Sequence, residues 1–446
     1  MTVQIFAASS THGTAVLAAA VDAGCFEDAA RRILLLCDTA PVPEATPPAA
    51  SVPGAGVLRS RFDEVLSWND AVFPLHPAAW TPRPDDVPLW ERHLRRAWDL
   101  GDGEVELVLE SPHDSPAQAL AQVFTGGPVT VYVPGLTGYG PTGGKISPLI
   151  GTRVRQVLHP DLVPGLEPML LAEYDVPVRT LPRAALLKVY SELADATDGF
   201  ASPEGAALLL MPEPGALPVA AETELGLRMV RGAVALGHTR LVLQPHPRAS
   251  AVPSGALREE AARLGAGLTV PAVGTGGAPV PAEVLFERLR PALVVGCSSA
   301  ALLTASVFYG LPVARTGTGT LLERLAPYEN PARIPATIID ALLPDLADTA
   351  AVREQSPLTP ETVAGALDGL LEAVAFAMRP RVRPDLRPAA ERYLSTRLDA
   401  GTWRYFKRRR LGSLALPGAV PRRLAFVRRN ATLRRMARRA RALARR

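Results

Sequence analysis

The sequence of 446 residues predicts an α/β fold with two Rossmann-like domains in series, followed by a terminal helix and a basic tail. Three observations support this prediction. Short apolar runs alternate with helix-like segments twice along the chain, and a polar, glycine-containing stretch near residues 195–203 separates the two series. Beyond residue 400 the composition becomes rich in arginine. Strands alternating with helices at this spacing are typical of doubly wound parallel sheets, which bind ligands at the carboxyl ends of their strands.

The first series opens with Val3–Ala8, an apolar run that ends in the small-residue turn Ser9–Gly13 and leads into a predicted helix over Thr14–Ala23. Continuous apolar runs of this length suit buried parallel strands. The other elements predicted for this half are strands at 32–37, 105–109 and 129–133 and a helix at 116–124. We therefore assign residues 1–195 to the first domain.

The second series is assigned to residues 200–380. Its predicted strands are 207–211, 239–243, 292–296 and 312–314, and its predicted helices are 222–236, 281–289 and 301–309. Thr359 before Pro360 is typical of a helix start, and we predict one helix from Pro360 to Met378. A further helix over 388–398 belongs to a terminal segment at 381–399, and we expect these terminal helices to cross back toward the first domain.

Charge and cysteine content exclude several classes of protein. Sixteen of the 48 Lys and Arg residues lie after residue 400, where none of the 44 Asp and Glu residues is found, so the body of the chain is acidic. This distribution argues against nucleic-acid binding by the whole protein. Cys25, Cys37 and Cys297 predict no disulfide framework, and the 7 histidines show no metal-ligand spacing, so no metal is expected. The sequence shows neither a membrane span nor a signal peptide, so a cytoplasmic location is expected.

The sharpest local pattern is Gln244-Pro245-His246-Pro247, at the end of a predicted strand. A histidine between two prolines has few conformations to lose on binding. Its imidazole can donate a hydrogen bond to a phosphate and support a departing phosphate ester, either by electrostatic stabilisation or as an acid. The alternative is a loop histidine that is bonded by neighbouring carbonyl groups.

A second pattern, Gly296-Cys297-Ser298-Ser299-Ala300, lies between a predicted strand and the following helix. Free N–H groups and two hydroxyls at a helix start suit a phosphate or a carboxylate. Ordinary N-capping by Ser298 or Ser299 is the alternative. Because both patterns follow strands of the same domain, we interpret them together as an anion site.

Four features together resemble the bacterial α-2,8-polysialyltransferase family over about residues 1–400: the Gln-Pro-His-Pro loop, the Cys-Ser-Ser-Ala turn, the opening strand with Ser9–Gly13, and the stretch Trp80–Arg92. The resemblance implies the GT-B architecture, with two facing Rossmann-like domains, the first on the acceptor side and the second binding the donor. It implies transfer of sialic acid from CMP-sialic acid to a glycan acceptor, with inversion and without a metal or cofactor. His246 would contact the donor phosphate, and Ser298 and Ser299 would bind the phosphate or the sialyl carboxylate.

One departure from the family concerns the general base. The family carries paired carboxylates followed by glycine after a strand of the first domain, but the matching place here is Val133-Pro134-Gly135. A proline cannot accept the proton of an acceptor hydroxyl. The nearest substitute is Glu110, at the end of the preceding strand, and we predict a catalytic role for it, although it could equally be a solvated carboxylate.

Other side chains near the strand ends are further candidates for the base or for substrate contacts: Asp114 and His113 after the strand 105–109, and Ser10 and His12 in the first turn. Two functions follow. The chain is either a glycosyltransferase with a relocated base or a non-catalytic nucleotide- or glycan-binding protein that has lost the base.

The tail at 400–446 is predicted to be basic and amphipathic. Apolar residues recur at three- and four-residue steps among arginines, at Leu433, Met436, Ala440 and Leu443. Near an anionic lipid surface each basic group contributes about 1 kcal/mol, so a peripheral location at the inner face of the plasma membrane is expected. The alternatives are a polyanionic acceptor, non-specific nucleic acid, or a solvated tail. No specific nucleic-acid partner is expected.

Overall fold

The computed structural model describes residues 2–45, 47, 51–112, 114–197, 205–249, 254–271 and 280–419. Among them, the first domain contains a seven-stranded parallel sheet. Its strands are β1 (Val3–Ala8), β2 (Arg31–Leu36), β3 (Glu64–Ser67), β4 (Val105–Leu109), β5 (Val129–Tyr132), β6 (Val154–Pro160) and β7 (Val178–Leu181). They lie in the order β3-β2-β1-β4-β5-β6-β7, so the strand order reverses between β1 and β4.

The helices of this domain are α1 (Thr11–Asp22), α2 (Gly56–Arg59), α3 (Trp68–Val72), α4 (Val87–Ala97), α5 (Ala117–Val123), α6 (Pro148–Gly151) and α7 (Arg183–Asp195). Helices connect parallel strands and cover the faces of the sheet, which keeps the sheet buried on both sides.

The second domain repeats this plan with a five-stranded parallel sheet in the described residues. Its strands are β8 (Ala207–Leu210), β9 (Arg240–Gln244), β10 (Gly267–Thr269), β11 (Leu293–Gly296) and β12 (Val313–Arg315). The order β10-β9-β8-β11-β12 reverses between β8 and β11. In doubly wound sheets such a reversal opens a crevice at the carboxyl ends of the two strands.

The helices after residue 205 are α8 (Val219–Ala235), α9 (Ser254–Arg263), α10 (Ala282–Leu289), α11 (Ala301–Leu303, continued by a π-helix over Thr304–Phe308), α12 (Thr318–Arg324), α13 (Arg333–Leu342), α14 (Thr349–Arg353), α15 (Pro360–Leu367), α16 (Leu370–Met378), α17 (Arg387–Thr396) and α18 (Arg408–Ser413).

Strand β1 shows how the sequence dictates the layers. All six of its residues are buried. Ile5 and Ala7 contribute to one core cluster, while Phe6 and Ala8 contribute to another, because successive side chains of a strand point to opposite faces. The first cluster also contains Trp68 and Trp98, and Trp80 and Trp90 are partly buried and pack against it. The second cluster continues into the second domain.

Every strand predicted from the sequence is present, with ends that differ by no more than one residue. Four strands escaped prediction: β3, β6, β7 and β10. They lack a continuous apolar run. Strand β7, for example, has the sequence Val-Arg-Thr-Leu, and its two central residues are exposed.

The single helix predicted from Pro360 to Met378 is wrong, because the segment forms α15 and α16 with a break between them. Asp368 leaves the helical conformation, and Gly369 has a φ of 69°, in the left-handed region that favours glycine. The predicted start is confirmed. Thr359 and Thr362 form a reciprocal capping box.

The two domains face each other in the GT-B arrangement that the sequence predicts. The Arg288 guanidinium donates to the Thr197 carbonyl oxygen at 2.5 Å, and α7 packs against α10. The predicted return of the terminal helices is also present in part. A β-carbon on Gly165, in the loop after β6, would lie 2.9 Å from Cβ of Pro360, so this loop packs directly on the start of α15.

Residues 400–419, which composition groups with the basic tail, pack onto the second domain. Four apolar side chains of this segment are buried: Tyr405, Phe406, Leu411 and Leu416. The Tyr405 hydroxyl donates to Oδ2 of Asp340 at 2.8 Å, and the Arg404 guanidinium lies 3.1 Å from the same oxygen. The rest of the predicted tail, residues 420–446, lies outside the described residues. No helix in the described ranges is both long and apolar enough to cross a membrane.

Removal of residues 400–419 should therefore destabilise the second domain. Burying one large apolar side chain contributes about 1.5–3 kcal/mol, and the buried carboxylate of Asp340 would also lose two partners. We expect a chain ending at Asp399 to unfold roughly 10 °C below a chain ending at Ala419, as measured by calorimetry. Equal melting temperatures would show that this segment contributes nothing to the fold.

Candidate functional site

The carboxyl ends of β1 and β4 bring Ser9 and Glu110 together. These strands are neighbours in parallel register, with Phe6 level with Val108, so the residues after each strand emerge side by side. The Ser9 hydroxyl donates to Oε2 of Glu110 at 2.5 Å. This pair lies where the strand order reverses, the place at which doubly wound domains bind ligands.

The protein environment raises the pKa of Glu110. Burial is the main cause, since removal from water penalises the carboxylate. The hydrogen bond from Ser9 and the positive charge of Arg248 oppose the shift but do not cancel it. A carboxylate whose pKa is raised toward neutrality is a stronger base than an exposed one and remains able to take a proton.

Glu110 and Ser9 line a cavity of about 330 Å³ at the opening between the domains. Thr39 and Pro134 contribute from the first domain, and Arg248 contributes from the second. Asp114, another predicted site residue, also lines this cavity. The opening therefore contains carboxylates on one wall and a guanidinium on the other.

Ser10 and His12 have other partners in the structure. The Ser10 hydroxyl accepts from the Gly13 N–H at 3.0 Å as the N-cap of α1. His12 bonds through both ring nitrogens. Nε2 lies 2.9 Å from the Pro134 carbonyl oxygen, and Nδ1 lies 2.6 Å from the Tyr190 hydroxyl. Nδ1 is also 3.7 Å from Oε1 of Glu283, a buried residue of α10 in the second domain.

The loop after β9 holds His246 in one defined tautomer. Nδ1 of His246 accepts from the Arg248 backbone N–H at 3.2 Å, so the neutral ring carries its hydrogen on Nε2. Burial lowers the pKa of His246, Arg248 lowers it further, and Glu213 opposes the shift. The ring is thus neutral near pH 7 and presents an N–H donor.

Arg248, two residues beyond His246, spans the cleft. Its guanidinium donates to Oε1 of Glu213 at 2.9 Å in its own domain and to the Thr39 hydroxyl at 3.3 Å in the other. Because Arg248 and Glu110 line the same cavity, the loop that carries His246 faces the wall that carries the carboxylate.

Ser298 and Ser299 lie at the same sheet edge as His246. Leu209 of the central strand β8 pairs with both Leu243 and Val295, so these two residues are level and about 10 Å apart across the sheet. His246 and Ser298 each follow three residues later. Both serines are half-buried, and the Ser299 hydroxyl accepts from the Ala301 N–H at 3.3 Å.

The serine turn also borders the interdomain opening. A β-carbon on Gly135 would lie 3.9 Å from Cβ of Ala300, directly after Ser299. Gly135 follows Pro134, which lines the cavity. The structure thus brings the predicted donor-side and acceptor-side turns into contact, although they are more than 160 residues apart in the chain.

Sequence analysis missed Arg248, Thr39 and the direct bond between Ser9 and Glu110. Arg248 carried a usable signal, because it follows the Gln-Pro-His-Pro loop. Thr39 had none, since it lies beyond β2 in an unremarkable loop. His113 lies outside the described residues. In the described ranges no group of three or more His, Cys, Asp and Glu side chains is placed to hold a metal ion.

Comparisons with solved structures return proteins of low identity. A sialyltransferase from Photobacterium damselae is 11% identical, with 68% of this chain and 88% of that chain covered and a TM-score of 0.36. A putative UDP-N-acetylglucosamine 2-epimerase from Listeria monocytogenes is 14% identical over 86% of this chain and 98% of the other, with a TM-score of 0.46. MnaA from S. aureus, solved with UDP, is 12% identical over 85% and 90%, with a TM-score of 0.40.

A search of curated protein sequences gives no significant match. The comparison with protein families, by contrast, gives a match. The family described as alpha-2,8-polysialyltransferase (POLYST) matches residues 4–318, more than half of the chain. This range includes both strand-order reversals, Glu110, the His246 loop and the serine turn. The chain belongs to the alpha-2,8-polysialyltransferase family.

Proposed function

We propose that this glycosyltransferase-family protein transfers sialic acid from CMP-sialic acid to a hydroxyl of a glycan acceptor, with inversion and without a metal ion. One observation carries the proposal. Glu110, a carboxylate with a raised pKa, lines the same interdomain cavity as Arg248, which belongs to the loop that presents His246. A base and a phosphate-binding loop on facing walls suit the direct displacement of a nucleotide by an acceptor hydroxyl.

In this proposal the donor is held at the edge of the second sheet. The Nε2–H of His246 donates to the phosphate, and Ser298 and Ser299 donate to the phosphate or to the sialyl carboxylate. These donors stabilise the negative charge that develops on the phosphate oxygen as its bond to the anomeric carbon breaks. Cytidine monophosphate leaves with the electron pair of that bond.

On the acceptor side, Glu110 takes the proton. The acceptor oxygen forms its bond to the anomeric carbon on the face opposite the departing phosphate, which gives inversion. The hydroxyl proton passes to the Glu110 carboxylate, and the Ser9 hydrogen bond orients that group. Ser10, His12 and Asp114 remain proposals as substrate contacts. The partners of Ser10 and His12 favour a supporting role for those two residues.

We also propose that the protein is cytoplasmic and associates peripherally with an anionic membrane surface through its basic segment. The support is compositional. Eleven of the sixteen basic residues after position 400 lie at 420–446, beyond the segment that packs on the second domain.

The proposal predicts separate effects for the two walls of the cavity. Glu110→Gln should lower the rate of product formation from CMP-sialic acid by about 10²–10⁴-fold, because the general base is lost, while the affinity for CMP is unchanged. His246→Ala should weaken the binding of CMP. Transfer to a sialylated acceptor, followed by chromatography, gives the rate, and calorimetry gives the affinity.

Asp114→Asn is the matched control, since it removes another carboxylate that lines the cavity. Loss of activity in Asp114→Asn with full activity in Glu110→Gln would move the base to Asp114. CMP binding by the wild-type protein without any product would favour the non-catalytic nucleotide- or glycan-binding alternative. Absence of CMP binding would contradict both.

The raised pKa of Glu110 also predicts how stability depends on pH. The proton is held more tightly in the folded state than at the ordinary value of 4.5, so folding is favoured below 4.5 and loses this contribution as pH rises through the raised value. Glu110→Gln does not titrate. Its melting temperature relative to wild type should therefore increase from pH 4 to pH 7. A melting-temperature difference that stays the same from pH 4 to pH 7 would contradict a raised pKa of Glu110.

Membrane association is tested by sedimentation with vesicles of phosphatidylglycerol and phosphatidylcholine. We expect the full chain to pellet with anionic vesicles at low salt and to be released by high salt, because the attraction is electrostatic. A chain ending at Ala419 keeps the folded segment and should remain in the supernatant. Equal pelleting of the two chains would rule out a lipid role for residues 420–446.

A further inference from the structure

The guanidinium of Arg228 lies at the carboxyl edge of the second sheet. Arg228 belongs to α8, the helix that follows β8 in the sequence. A β-carbon on Gly317, in the turn after β12, would lie 3.7 Å from Nη2 of Arg228 and 3.7 Å from Sγ of Cys297. Cys297 immediately precedes Ser298. Arg228 therefore reaches the two turns that follow β11 and β12.

Gly317 permits this approach. Its φ is 79°, and a β-carbon there would lie 2.5 Å from Cδ1 of Leu225. Any other residue would have to displace the Leu225 side chain of α8 and adopt a backbone conformation that favours glycine. The turn itself is joined to β11, because the Thr316 N–H donates to the Gly296 carbonyl oxygen at 2.9 Å. Arg228, Gly317 and Cys297 thus form one packed group.

Arg228 has no protein partner among the described residues. Its Nε is buried and forms no hydrogen bond, although the side chain as a whole is half-buried, and none of the described carboxylates pairs with it. Buried donors are bonded in the great majority of cases, so an unbonded buried N–H calls for an explanation. A half-buried guanidinium with an unbonded N–H at the carboxyl edge of a sheet is available to bind a ligand.

The carboxylate of Asp340 already has partners on both oxygens. Oδ1 of Asp340 accepts from the Thr318 hydroxyl at 2.5 Å and lies 3.1 Å from Nη1 of Arg315. Its Oδ2 is bonded to Tyr405 and Arg404. The Cys297 thiol does not supply an anion either, because burial raises its pKa to about 12. One positive charge, that of Arg228, is left over beside the serine turn.

We propose that Arg228 is a donor-binding residue whose guanidinium, together with Ser298 and Ser299, binds an anionic group of the nucleotide-sugar. This inference rests on the proposed donor role of this edge. The anion is either the phosphate of the nucleotide or the carboxylate of the sugar, both of which accept two hydrogen bonds from a guanidinium in a planar fork.

The test is calorimetric titration of the full-length protein with four probes: CMP, cytidine, CMP-sialic acid and inorganic phosphate. Arg228→Gln keeps most of the side-chain volume and removes the charge. If the phosphate is the partner, this variant should bind CMP and inorganic phosphate roughly ten- to hundredfold more weakly while cytidine binding is unchanged. If the carboxylate is the partner, only CMP-sialic acid should bind more weakly.

Arg231→Gln is the matched control, because Arg231 lies three residues on in the same helix and pairs with Glu260 and Glu224. It should bind every probe as the wild type does. Arg228→Lys should recover part of the lost affinity, since it restores the charge without the planar fork. The melting temperature of each variant without ligand checks that it is folded.

Two outcomes separate this inference from the proposed function. Wild-type protein that binds CMP, with equal affinities in Arg228→Gln for all four probes, overturns the role of Arg228 and leaves the transferase proposal standing. Wild-type protein that binds inorganic phosphate through Arg228 but does not bind CMP supports the anion site and contradicts the proposed donor. Absence of binding to every probe overturns both.

Discussion

The site depends on one electrostatic constraint: a carboxylate, Glu110, is withdrawn from water where the strand order of the first sheet reverses. The Ser9 hydroxyl compensates for part of the lost hydration, but burial dominates and the pKa of Glu110 stays raised. Such a group lowers the stability of the folded protein at neutral pH. Its position beside an interdomain cavity gives a functional reason for a carboxylate that lowers stability.

The second domain shows the complementary arrangement. Its strand-order reversal places donors at the sheet edge: a neutral imidazole, two hydroxyls and the guanidinium of Arg228 with its unbonded Nε. The two sheets therefore present opposite electrostatic characters across one opening. This polarity suits a reaction in which one partner gives up a proton while the other leaves as an anion. The proposed reaction requires both domains, since neither wall holds the full set of groups.

Much of this arrangement follows from the sequence by local rules. Fully buried parallel strands have continuous apolar runs, so β1, β4 and β11 were predicted to within one residue. Strands such as β7, with exposed centres, have no such signature and were missed. The break at Gly369 was missed because the apolar pattern continues through it, while the close approach of Tyr393, 3.1 Å from a β-carbon placed on that glycine, arises only in the folded chain.

From the sequence, only those site residues that directly follow a strand could be predicted. Glu110, His246 and the serine turn each follow a strand, and parallel strands bring their carboxyl ends to one edge. No comparable rule predicts the contacts between the domains. That Arg248 reaches Thr39 depends on how the two sheets are set against each other, and that Nε of Arg228 is left unbonded depends on the packing of α8 against the turn after β12.

The imidazole of His12 joins three parts of the molecule that are distant in sequence. It bonds the Pro134 carbonyl and the Tyr190 hydroxyl of the first domain and lies beside Glu283 of the second. A rotation of one domain against the other would change the last of these contacts and, through the rigid ring, pull on the loop that carries Pro134. His12 thus links the angle between the domains to the position of Pro134 on the wall of the interdomain cavity.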